Sequence, residues 1–209
     1  IYNSVGILSR GVNWVDIDND HDIDLFIANE SGSVDYMYKN NGSGYFTSVT
    51  GIPPTTSGGI SWSSSWGDYD NDGDLDLFVT NSENQKNFLF RNDGNFTFTK
   101  ILNDPIVNEN GYYACSGWGD YDNDGDMDVV LANDQGNEGL FRNDGAGVFT
   151  KITTDTLVKC GGNSFGSNWG DIDNDGDLDL LITNSFWGSQ WNNFLFINNG
   201  NGTFSRDAV

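Results

Sequence analysis

The chain has 209 residues, 31 of them acidic and 9 basic, and carries a formal net charge of −22. That charge excludes electrostatic attraction to nucleic acid or anionic lipid, and no run approaches the roughly 18 apolar residues of a membrane span, so neither nucleic-acid binding nor membrane insertion is expected. Hydrophobic residues make up 36% and aromatics 14%, with 27 Gly and only 3 Pro, a mixture that suits many short strands and tight turns better than a helical bundle. Twenty of the acids fall in four nine-residue windows, so the charge is local and needs a local cause.

The windows mark an internal repeat, and its elements follow in chain order. The first unit, about residues 1–52, has a strand ending at Trp14, an Asp loop, a strand LFIAN from Leu25 and a hairpin DYMYKNNGSGYF from Asp35. The second, about 53–104, has Trp66, the string WGDYDNDGDLDLFVTN and a hairpin NFLFRNDGNFTF from Asn87. Trp118 and GLFRNDGAGVF from Gly139 belong to the third, about 105–155, and Trp169 and NFLFINNGNGTF from Asn193 to the fourth, about 156–209. The tryptophans are spaced 52, 52 and 51 residues apart, a period that implies a solenoid, propeller or array. Each hairpin carries a Gly-containing turn. In the strand between loop and hairpin, Leu75, Leu77 and Val79 alternate with Phe78, so both faces are apolar and both are covered.

Each unit therefore reads as a four-stranded antiparallel meander. A meander with two apolar faces cannot bury them alone and must stack on its neighbours, as blades do around a propeller axis. The expected fold is all-β, a β-propeller of four-stranded blades with four repeats in a single domain, and the four tryptophans are read as core.

The string D-x-D-N-D-G-D-x-D puts carboxylates at positions 1, 3, 5 and 9 around a sharp turn at position 6, like the opening half of an EF-hand calcium loop. The expected ligands are Asp16, Asp18, Asp20 and Asp24; Asp68, Asp70, Asp72 and Asp76; Asp120, Asp122, Asp124 and Asp128; and Asp171, Asp173, Asp175 and Asp179. Position 7 (Asp22, Asp74, Asp126, Asp177) is expected to add its backbone carbonyl. Hard oxygen donors without Cys, and with one His in the chain, point to Ca²⁺, up to one per repeat. Two carboxylates about 5 Å apart repel by roughly 3 kcal/mol at an effective dielectric near 20, so a loop of this kind calls for a cation. His21 replaces Gly at position 6 of the first loop, where a Cβ costs on the order of 1 kcal/mol if φ is positive, and this site is expected to be the weakest.

The repeated WGDYDNDGDLDLFVTN followed by NFLFRNDGNFTF resembles the FG-GAP/VCBS repeat family over essentially the whole chain. The resemblance implies integrin-α-like β-propellers with Ca²⁺ in the loop between the first two strands of a blade, secretion or display at the cell surface, and a role in adhesion or ligand recognition. Propellers of that family commonly have seven blades, and four are present here.

Catalysis is not expected, because the single His has no nucleophile beside it and nearly all paired carboxylates are assigned to metal. A protein or carbohydrate ligand at the cell surface is the expected partner. The second-to-third strand loop of the fourth repeat, NSFWGSQWNN from Asn184, is three residues longer than its counterparts and supplies Phe186, Trp187 and Trp191 as stacking candidates, with a capping or assembly role as the alternative. Asn29, Asn41, Asn95 and Asn201 begin glycosylation sequons. Cys115 and Cys160 permit one disulfide or two free thiols. The chain starts at Ile1 without an initiator Met or a signal pattern, as a processed or excised piece would. Its ends are in phase with the repeat, so the first and last units should offer apolar faces to further blades or to other copies of the chain.

Overall fold

The computed structural model describes residues 8–185 and 192–207. In chain order, β1 (Ser9–Val15), β2 (Asp24–Asn29), β3 (Tyr36–Asn40) and β4 (Phe46–Val49) form the first antiparallel sheet. A helical turn, α1 (Pro53–Thr56), leads to β5 (Ser61–Gly67), β6 (Asp76–Asn81), the two-residue β7 (Gln85–Lys86), β8 (Phe88–Asn92) and β9 (Phe98–Ile101). Then follow α2 (Pro105–Asn108), the short β10 (Asn110–Gly111), β11 (Tyr113–Gly119), β12 (Asp128–Asn133), β13 (Gly139–Asn143) and β14 (Phe149–Ile152). A 3-10 turn at Leu157–Lys159 precedes β15 (Ser164–Gly170), β16 (Asp179–Asn184), β17 (Phe194–Asn198) and β18 (Phe204–Asp207). Each repeat is thus one four-stranded antiparallel meander, as its pattern predicts, and β7 pairs with β10 in a small fifth sheet.

The apolar core is divided into three layers, one at each junction between successive sheets. The alternation in the second strands explains this. Phe78 of β6 faces the third sheet, where it joins Val129, Leu131 and Phe141, while Leu77 and Val79 face the first, where they join Phe26, Ala28 and Met37. All six residues of β6 and of β12 are buried, and a buried Phe, Leu or Val contributes about 1.5–3 kcal/mol.

The first strands of successive sheets pack on one another in the order β1, β5, β11, β15, and among the described residues β15 has no comparable packing against β1. Their crowding accounts for their Ser- and Gly-rich sequences. A Cβ on Gly11 would lie 3.2 Å from the Ser63 backbone, and one on Gly119 only 2.8 Å from the Trp169 ring. Each first strand also carries a bulge, and the bulged residues of three sheets meet: the Arg10 guanidinium lies 4.5 Å from the Trp62 ring, which lies 5.7 Å from Phe165.

Two features escape the sequence reading. The first is the helical turns, for which Asp104 followed by Pro105 is a capping signal. Asp104 accepts from Ile106 N–H at its own turn and from Phe149 N–H of the next sheet, and Asp155 does the same for Leu157 and Phe204. The second concerns the tryptophans. Trp66, Trp118 and Trp169 are half-buried at sheet junctions, but Trp14 is 60% exposed and is not core, because among the described residues no sheet covers its face of the first sheet.

Buried acids join sheets away from the Asp loops as well. Asp35 accepts from Asn29 N–H and from the Ser61 hydroxyl of the next sheet, and Glu138 accepts likewise from Asn133 N–H and the Ser164 hydroxyl. The second and fourth repeats place Asn87 and Asn193 at this position, bonded in the same way to Asn81 and Asn184 N–H. Burial raises the pKa of Asp35 to about 7, and that of Glu138 to about 7. An acid whose pKa is higher folded than unfolded binds more protons in the native state, so its contribution falls as pH rises from about 4 to 7, by roughly 4 kcal/mol for Asp35 at about 1.36 kcal/mol per unit. Asp35→Asn is therefore expected to melt several degrees above wild type at pH 8 and level with it near pH 4. Melting curves of the two proteins across that range, at constant calcium, check this.

Candidate metal centres

Each Asp loop joins the first strand of a sheet to the second, and its conformation follows from two left-handed residues. Position 4 is Asn in every copy (Asn19, Asn71, Asn123, Asn174), with φ between 57° and 62°. Asn enters that region more readily than most residues. Position 6 is Gly73, Gly125 or Gly176 with φ of 94° to 96°, and His21 is held at 71° in the first loop, which is the strain expected there. The His21 ring points into solvent, 3.8 Å from Asp16.

Backbone amides then orient the carboxylates. Position 1 caps the turn: Asp68 accepts from Asp72 and Gly73 N–H at 3.0 Å each, and Asp16, Asp120 and Asp171 do the same in their loops. Position 9 starts the second strand and is buried. Asp76 accepts from Tyr69 N–H within the loop and from Asn92 N–H at the end of β8, and Asp24, Asp128 and Asp179 repeat the arrangement.

The result is a group of three carboxylates in each loop, with one oxygen from each within 4.8 Å of the others: Asp16, Asp18 and Asp24; Asp68, Asp70 and Asp76; Asp120, Asp122 and Asp128; Asp171, Asp173 and Asp179. These are positions 1, 3 and 9 of the sequence reading. Position 5 lies outside the groups, and one oxygen of each of Asp20, Asp72, Asp124 and Asp175 accepts from the position-7 amide. The position-7 side chains serve another purpose. Asp74, Asp126 and Asp177 accept from the amides of Asn19, Asn71 and Asn123 in the preceding loop, at 2.7, 2.7 and 2.6 Å.

The groups fit a hard cation. Asp18, Asp70 and Asp122 each keep one buried Oδ1 with no hydrogen-bond donor, a costly state unless a cation satisfies it. Burial, followed by neighbouring carboxylates, raises the pKa of Asp70 and Asp122, and burial pushes Asp76 up to about 8 and Asp128 to about 7. Asp171 and Asp173 of the fourth group are exposed, since no sheet among the described residues covers them. Three carboxylate oxygens with no nitrogen or sulfur donor suit Ca²⁺ or Mg²⁺ rather than zinc or copper.

The first group differs in a way the sequence reading missed. The Lys39 ammonium reaches into it, bonding Asp18 and, at 2.9 Å, Asp20. The equivalent Arg91 and Arg142 turn away to Asp93 and Asp144, and Ile197 stands at this place in the fourth repeat. Asp18 and then Asp20 raise the Lys39 pKa, so an internal cation already offsets part of this group's charge. The signal was present in β3, where Lys39 is the one lysine among the four equivalents and has no acid two residues on, as Arg91 and Arg142 have in Asp93 and Asp144.

The other candidates divide. Asn41, Asn95 and Asn201 are exposed at hairpin turns, whereas Asn29 is buried, its amide donating to Val34 C=O and its Oδ1 accepting from Ser9, so a glycan at Asn29 is contradicted. Cys115 and Cys160 are free thiols. Phe186, Trp187 and Trp191 lie outside the described residues.

The FG-GAP-like repeat profile matches three times, at residues 16–79, 68–131 and 120–182, each span running from one Asp loop through the next. No curated protein sequence matches the chain. Among solved structures, one described as BBS1N in complex with ARL6DN, soaked with lead, superposes with a TM-score of 0.54 at 13% identity, covering 93% of this chain and 54% of that one. A second, the Tc holotoxin pore of Photorhabdus luminescens, gives 0.50 at 18% identity, covering 95% of this chain and 9% of that one. The chain spans about half the length of the first and under a tenth of the second, and at these identities the likeness is one of fold. With the profile running through successive Asp loops over most of its length, the chain belongs to the FG-GAP-like repeat family.

Proposed function

We propose that the chain is a calcium-binding, β-propeller-type recognition module that works outside the cell or at its surface, holding a protein or carbohydrate ligand and carrying out no catalysis of its own. The observation that carries the calcium reading is the buried Oδ1 of Asp18, Asp70 and Asp122, left without a donor inside a group of three carboxylates. Positions 1, 3 and 9 would hold the ion, which supplies the positive charge that these acids lack. What the chain contributes is a set of amides that fix the acids in place before any ion arrives. The stack of four-stranded sheets supports the propeller reading, and membership of the FG-GAP-like family supports the extracellular one.

Calcium binds the folded loops and not the unfolded chain, so each site adds about 2.7 kcal/mol when free Ca²⁺ is a hundredfold above its Kd. At about 2–4 °C per kcal/mol for a chain of this size, three filled sites raise the Tm by roughly 15–30 °C. A melting curve unmoved by EDTA would refute the calcium reading.

The first site is expected to be the weakest, for two separable reasons. Lys39→Gln removes the competing ammonium and His21→Gly relieves the positive-φ strain, so each should tighten one site of a calorimetric calcium titration and leave the others unchanged. If Lys39→Gln left every site unaltered, Lys39 would not be a competitor for the metal.

Asp76→Asn keeps the shape of its side chain but loses a metal charge, and should abolish the second site. Asp74→Asn, which changes only the link to Asn19, should leave that site within a few-fold of wild type in the same titration.

A further inference from the structure

The outer strands of the second sheet, β8 and β9, border a hollow of about 200 Å³ together with the turn α2. Its walls follow from the local register. Lys100 pairs with Phe90 across β8 and β9, so its stem crosses the sheet and its ammonium rests 3.7 Å from the centre of the Phe88 ring. Lys86 is placed by the pairing of β7 with β10, and its ammonium donates to Asn108 Oδ1 at the end of α2, at 2.9 Å. Phe88, Ile101, Leu102 and Val107 supply the apolar wall.

Charge sets this hollow apart. The chain has 31 acids against 9 basic residues, and Arg10, Lys39, Arg91, Arg142 and Lys151 are each ion-paired. Lys86 and Lys100 instead donate to the neutral oxygens of Asn108 and Ser57. Burial lowers the Lys100 pKa, with no acid opposing it. Asn87, in the same wall, has a buried amide nitrogen with no acceptor, a costly state. The first sheet supplies the contrast. A hollow of about 250 Å³ lies at the same place in that sheet, where Val34, Asp35 and Ser48 stand 52 residues before Lys86, Asn87 and Lys100. Asp35 already accepts from Asn29 N–H and the Ser61 hydroxyl. The same cleft therefore carries an acid and no cation in the first repeat, and two cations and an amide donor in the second.

We propose that the hollow of the second sheet binds a short-chain monocarboxylate, its carboxylate held by Lys86 and Lys100 and its hydrocarbon chain laid on Phe88, Ile101 and Leu102. An ionised carboxylate only accepts hydrogen bonds, which suits a wall whose lysine ammoniums and unpartnered amide nitrogen only donate. The volume is below the roughly 300–1,000 Å³ of pockets that take drug-sized molecules, so the chain is short. Phosphate or sulfate would satisfy the lysines but leave the apolar wall uncovered. None of the lining residues belongs to an Asp loop, so this site does not depend on the calcium reading.

The test is a titration of isotope-labelled protein with sodium pentanoate, followed by NMR amide shifts, in calcium and about 150 mM salt so that distant acids are screened beyond about 8 Å. Saturable shifts are expected at Lys86, Asn87, Phe88, Lys100 and Leu102, and none at Asp35 or Ser48. Lys86→Gln and Lys100→Gln should each weaken binding about tenfold, as the loss of one charge-assisted hydrogen bond does. Asn87→Asp, which installs the acid that the first sheet carries at this place, should abolish it. Pentanamide, with the same chain and no charge, should bind at least about tenfold more weakly than pentanoate, and this comparison needs no variant. The proposal is overturned by the absence of saturable shifts, by equal shifts in the hollow of the first sheet, or by lysine variants that bind like wild type. Inorganic phosphate binding as tightly as pentanoate would overturn it too, since the apolar wall would then contribute nothing.

Discussion

A buried carboxylate sits at the first residue of every second strand. Asp24, Asp76, Asp128 and Asp179 each accept one amide from their own loop and one from the end of the third strand. The same side chain therefore closes the loop, starts the second strand and sets the register of the third. At Asp24, Asp76 and Asp128 burial disfavours the charge, and the two amides only partly offset that cost. The rest of the repeat is arranged around this tension, because the loop that supplies one of the amides also brings up two more carboxylates.

Loops built in this way cannot be isolated from one another. The Asn that makes the turn at position 4 uses its side chain to hold the next loop's position 7, and the Asn that closes the third strand reaches back to the preceding loop's position-2 carbonyl. The Asp loops and the sheet junctions are thus one structure. Ordering a loop orders the seat on which the next tryptophan rests, and three core layers, none complete within a single sheet, depend on that seating. The design is close to one-dimensional, with each sheet leaning on its neighbours.

The repeats also differ where their surroundings differ. Asp35 and Glu138 accept from serines across their junctions, while Asn87 keeps a buried amide nitrogen with no partner. Lys39 folds into the first Asp group, while the arginines at its place pair with acids at their own hairpin turns. Equivalent positions in the repeat are not equivalent sites.

Much of this was legible in the sequence, because its signals are local and repeated. The 52-residue period, the two-faced second strands and the Gly-containing hairpins specify antiparallel meanders that must stack, and the spacing of Asp, Asn and Gly specifies a turn that gathers carboxylates. Those features depend on residues within a few positions of one another, where backbone stereochemistry leaves few choices. Contacts across a junction join residues 26 to 77 positions apart, and no local rule reaches them. Only the folded chain could separate positions 1, 3 and 9, whose carboxylates gather into one group, from position 5, whose oxygen takes an amide, and position 7, whose carboxylate belongs to the junction. Only the fold could place Lys39 among the first loop's acids, bury Asn29 and leave Trp14 bare, since each outcome depends on what the neighbouring chain covers and not on the residue itself.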